Sequence, residues 1–164
     1  MGLFNIGKPR VSSEKFARSS FDDVLSDRWA NLLRDVYYEN KAHLSNTQIS
    51  EQMFINQLLG ASIELVIISA RFIDLRKLLS ATLVVFEKEY KQKFSLMVID
   101  AKNYFADANV KNNNQLQVHD WMAIACARRL GAGDSYGLIT FLRNMFAGLM
   151  KGWIEQGKKC SYDD

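Results

Sequence analysis

The apolar positions of this chain recur with the period of a helix. Leu65, Ile68, Phe72, Leu75, Leu79, Thr82 and Phe86 step alternately by three and four. That spacing puts them on one stripe of an α-helix, in a heptad-like seam. Ile63, Val66, Ile67 and Ile73 add a second apolar face, and a helix apolar on two sides is buried on two sides. Gly60, Ala61, Ser62, Ser69 and Ala70 are small enough to let another helix approach. The period runs on through Tyr90, Phe94, Met97, Ala101, Tyr104 and Phe105. A single helix over 47–107 would be about 90 Å long, so the chain is expected to turn, at Ser80 or, preferably, in the charged stretch 87–93. The alternative reads Thr82–Phe86 and Phe94–Ile99 as a β-hairpin, but no Gly, Asn or Asp marks a tight turn between them.

The flanking segments also read as helices. Ser20 can cap a helix with Asp22 and Asp23 in its first turn, where negative charge meets the positive end of the helix dipole. Val24, Trp29, Leu32, Leu33, Val36 and Tyr37 form its stripe, and it is expected to fray near Asn40. Ser45, Asn46 and Thr47 offer the next cap. Asn109–Gln117 is polar and reads as a loop. A helix is expected from Val118 to Leu130, ended by Gly131 in a left-handed conformation. Asp134 is the expected cap of a last helix over 135–156, whose apolar residues cover most of its circumference.

Composition agrees with helices. The one proline is Pro9, and the 155 residues after it lack that helix breaker. The 164 residues, 48% hydrophobic and 24% charged, suit one domain able to bury a core. The fold class expected is all-α: a compact bundle of about five helices, one of them long, with a flexible basic N-terminal arm. The divisions are an arm at 1–18, a helical domain at 19–157 and a polar tail at 158–164.

Charge changes one part of this picture. Lys8, Arg10, Lys15 and Arg18 against Glu14 leave the arm at +3, which equals the net charge of the whole chain. The rest is neutral, so the basic excess is local. Leu3, Phe4 and Ile6 precede those cations, and such a segment could meet an anionic membrane surface or nucleic acid.

Candidate chemistry is sparse. His119 and Cys126 share a helix face, but about 10 Å apart along the axis, too far to ligate one metal. Glu64 lies in an apolar run and is a possible proton-transfer group, although Gln57, Glu64, Arg71 and Asp74 read more simply as a solvent stripe. Gly131-Ala132-Gly133-Asp134-Ser135 lacks the P-loop lysine. No catalytic residue, metal or cofactor is therefore expected. Two unlike cysteines, Cys126 and Cys160, fit a reducing compartment. No signal peptide or membrane span is expected, and the chain is assigned to the cytoplasm.

The function expected is a non-enzymatic protein–protein interaction or assembly subunit, oligomeric, with another protein or a copy of itself as partner. Phe141, Leu142, Met145, Phe146, Leu149, Met150 and Trp153 span well over 100° of the last helix, so part of that surface is expected at the interface. The alternative is nucleic-acid or anionic-membrane binding through Lys8, Arg10, Lys15 and Arg18. An enzyme of unrecognised type is the third reading.

Overall fold

The computed structural model describes residues 7–94 and 118–163. The chain is an all-α bundle with almost no strand. The helices among the described residues are α1 (Ser13–Val24), α2 (Asp27–Glu39), α3 (Glu51–Ile73), α4 (Lys77–Val85), α5 (Val118–Arg129) and α6 (Tyr136–Lys158). A 3-10 turn, Lys41–Leu44, follows α2, and a π-helical turn, Phe86–Tyr90, prolongs α4.

α3 is the centre. It packs against α1, α2, α4, α5 and α6, and every residue from 60 to 70 is buried. Encirclement explains why both apolar faces of this segment are needed. It also corrects the reading of Glu64, which is not on a solvent stripe but buried at 6% exposure. α3 alone among the described residues has the length and apolarity of a membrane span, and most of its apolar stretch is covered by the chain's own helices.

Serine caps set the helix starts. Ser12, Ser26, Ser50 and Ser135 each accept from the backbone N–H three residues on, at 3.2 to 3.3 Å, satisfying donors that the helix leaves open. These starts correct four expectations. The first helix begins at Ser13, and Ser20 lies inside it with its hydroxyl donating to the Phe16 carbonyl at 3.0 Å. The expected helix 20–40 is two helices, parted at Leu25–Ser26. Ser50 caps α3 in place of 45–47, and Ser135 caps α6 in place of Asp134. Gly131 does take the left-handed conformation, φ +70°, and its N–H reaches the Arg128 carbonyl at 2.9 Å.

The long apolar period turns at Asp74, not at Ser80 or in 87–93. Asp74 leaves helical geometry at φ −149°, ψ 107°. Its Oδ1 accepts from the N–H groups of Arg76 and Lys77 at 3.0 and 2.8 Å, which starts α4. The charged stretch stays helical through residue 94. Thr82–Phe86, one arm of the alternative hairpin, is helical; the other arm beyond Phe94 and the loop at 109–117 lie outside the described residues.

The arm and tail are joined. Arg10–Val11 and Ser161–Tyr162 form a two-residue parallel pair, β1 and β2, with the Ser161 N–H on the Pro9 carbonyl at 3.0 Å. The Tyr162 ring meets Phe16 edge-on at 5.8 Å, its hydroxyl donates to the Gly157 carbonyl at 2.9 Å, and Lys77 Nζ donates to its carbonyl at 2.8 Å. The division at residue 18 therefore falls inside α1, where Ser13 and Ala17 are buried.

Candidate partner-binding groove

α6 packs mainly on α3 and α5. Leu138, Leu142, Phe146, Met150, Trp153 and Gly157 form its buried stripe, with steps of three and four. Of the seven residues expected at an interface, Leu142, Phe146, Met150 and Trp153 belong to the chain's own core. Phe141, Met145 and Leu149 are half-buried.

The other flank of α6 borders a cleft of about 850 Å³, which opens between α6 and the α1–α2 corner. Val24, Trp29, Leu32, Leu149 and Trp153 supply its apolar lining. Gly148 and Gly152 line it from α6, and a Cβ built on either meets nothing within 4 Å. The two are one turn apart, about 6 Å along the axis, so bare backbone is accessible there. Leu32 is 43% exposed. The charged and amide groups of the cleft, Asp23, Arg28, Asn31, Asp35 and Gln156, are all on exposed residues, and Ser26 and the Trp29 indole also line it.

Among the described residues no ion pair engages Asp23, Arg28 or Asp35. Asp23 is in the last turn of α1, which carries no basic residue. The N-terminal end of α2, capped by Ser26, stands at the same corner, and the Ser26 hydroxyl donates to the Asp23 carbonyl at 2.7 Å.

The cations of the arm are differently placed. Lys8 and Lys15 are exposed. Arg10 lies 3.9 Å from Asp163. Arg18 makes a forked bond to Glu89, Nε to both carboxylate oxygens at 3.0 Å and a terminal nitrogen to Oε1 at 2.5 Å. That bond holds the Glu89 carboxyl below its ordinary range. Two of the four cations, Arg10 and Arg18, are therefore paired within the chain, Arg18 by the closer contact.

Cys126 is buried, and burial pushes its thiol up to about 12, with a hydrogen bond involving Gln57 opposing the shift. Such a thiol stays protonated and unreactive. Asp120 pairs with Arg143 at 2.5 Å and lies 3.9 Å from His119. No three His, Cys, Asp or Glu side chains gather in metal-binding geometry among the described residues.

The chain matches no known family model, no characterised protein and no solved structure. The site rests on its own geometry. The sequence reading placed an interface on this helix and did not single out Trp29, Leu32, Gly148 or Gly152 for it. Gly148-x-x-x-Gly152 was the available signal, a close-approach spacing on one helix face.

Proposed function

We propose that this chain is a non-enzymatic interaction subunit that receives a segment of a partner protein in the cleft between α6 and the α1–α2 corner. One observation carries the reading: an open cleft of about 850 Å³ whose lining joins Val24, Trp29, Leu32, Leu149 and Trp153 to bare backbone at Gly148 and Gly152, beside exposed charged residues. Leu149 and Trp153 of the expected interface line this cleft. Phe141 and Met145 precede Gly148 and Gly152 at spacings of four and three, on the same stripe of α6, so the receiving surface extends along the helix. Binding through the arm is less favoured, because Arg18 already engages Glu89.

The test places a photo-activatable cross-linker at Leu32, with a control at exposed Glu14 on α1. A discrete polypeptide joined at 32 and not at 14, mapped by mass spectrometry to a defined segment, is the expected result. Equal labelling at both positions, or none at 32, would reject the reading.

A further inference from the structure

The charged residues of the cleft specify its occupant more closely, on the reading that a protein segment enters it. We infer that the occupant is an amphipathic helix carrying Lys or Arg beside its apolar face. Two carboxylates, Asp23 and Asp35, line the cleft against one cation, Arg28. None of the three is engaged in an ion pair among the described residues. A partner cation there gains complementary charge without breaking an internal pair, whereas a partner carboxylate meets like charge.

The backbone requirement follows from the glycines. Over Gly148 and Gly152 the surface of α6 is main chain with open space above. An approaching helix can come closer there than side chains normally permit. Its apolar side chains, spaced i, i+3, i+4 and i+7, then meet Leu32, Trp29 and Leu149. An extended strand would need an open sheet edge, and the cleft is walled by helices.

The probes are two synthetic helical peptides of about 18 residues, long enough for about 27 Å of helix. Both carry Leu at the apolar positions; one has Lys flanking them and the other Glu. Fluorescence anisotropy of the labelled peptides reads binding to the intact chain. The Lys peptide is expected to bind about tenfold or more tightly than the Glu peptide. Replacing both carboxylates, Asp23→Lys with Asp35→Lys, should invert that preference, and Gly152→Leu should weaken both peptides. Circular dichroism verifies that each variant keeps its helices.

Equal binding of the two peptides, abolished by Gly152→Leu, would overturn the cationic partner and leave the cleft as a protein site. Binding of neither, together with absent cross-links at position 32, would remove both. Concentration-dependent dimerisation in light scattering that Gly152→Leu abolishes would put a second copy in the cleft, overturning the basic helix as its occupant.

Discussion

Individual side chains report how tightly this bundle is closed. A Cβ added at Gly157 would strike Ile73, with Cγ2 2.8 Å away. Alanine is otherwise preferred over glycine within helices by about 1 kcal/mol, so a loss of stability isolates the contact. Gly157→Ala is expected to destabilise by about 1–3 kcal/mol in urea unfolding, and Ile73→Ala should relieve part of that loss in a double-mutant cycle. An additive cycle would show that the two residues do not press on each other. Protonation gives a second test. Burial, then the bond that Tyr90 donates to Asp22 at 3.1 Å, pushes the Tyr90 phenol from 10.0 up to about 12. Burial raises Cys126 from 9.0 to about 12. In both cases the fold favours the protonated form. Below about pH 9 both groups keep their protons folded or unfolded, and their stabilisation is complete. As pH rises toward about 12 the unfolded chain releases its protons first, so stability falls across that window. Urea midpoints should decline there, less steeply in Tyr90→Phe, which keeps the ring 4.9 Å from Phe21 but cannot ionise.

At the scale of elements, α6 combines two kinds of glycine and two kinds of face. Phe146 is 0% exposed, and Phe146→Ala is expected to cost about 3–5 kcal/mol through the cavity it leaves. Gly148→Ala, two positions on, adds a methyl group to open space and should stabilise by about 0.5–1 kcal/mol through helix propensity. Chemical denaturation of the two variants tests the assignment of the faces. A destabilising Gly148→Ala would mean that α6 is rotated and its cleft side is packed. Substitution to aspartate is informative only outside the core stripe: Trp153→Asp buries a charge and should unfold the chain, whereas half-buried Phe141 and Met145 are the useful positions for probing a partner.

The whole molecule is closed by its ends. β1 and β2 tie residues 10–11 to 161–162, and Phe16 and Tyr162 pack across the junction. A removable arm spanning residues 1–18 would leave the melting temperature nearly unchanged when deleted. The structure predicts a graded outcome instead. Deletion of residues 1–8 spares the pair and α1 and should shift the melting temperature little. Deletion of 1–18 removes the Ser12 cap, buried Ala17 and the Arg18–Glu89 bond, and should lower it by several degrees, since about 1 kcal/mol corresponds to roughly 2–4 °C in a chain of this size. Differential scanning calorimetry distinguishes the two. An equal, negligible shift for both deletions would mean that α1 contributes no net stability.

The pattern of apolar residues determined the class of fold, the helices α5 and α6 to within two residues, and the double-sided burial of α3, because these depend on local period and on Gly131 at a helix end. Where helices start was less legible. The buried stripe of α1 includes Ser13 and Ser20, whose polar type disguises a core face, and serine competes for caps in several places along the chain. The turn at Asp74 is hidden for a related reason: the three-four spacing runs through it unbroken, and only the carboxylate bonds to Arg76 and Lys77 reveal the end of one helix and the start of the next. Tertiary structure decided the rest. Whether Glu64 faces water depends on how many neighbours surround α3. Whether Trp153 is core or cleft depends on where α1 and α2 meet α6. A one-dimensional pattern tells which residues avoid water, but what covers them is settled only when helices distant in sequence come together.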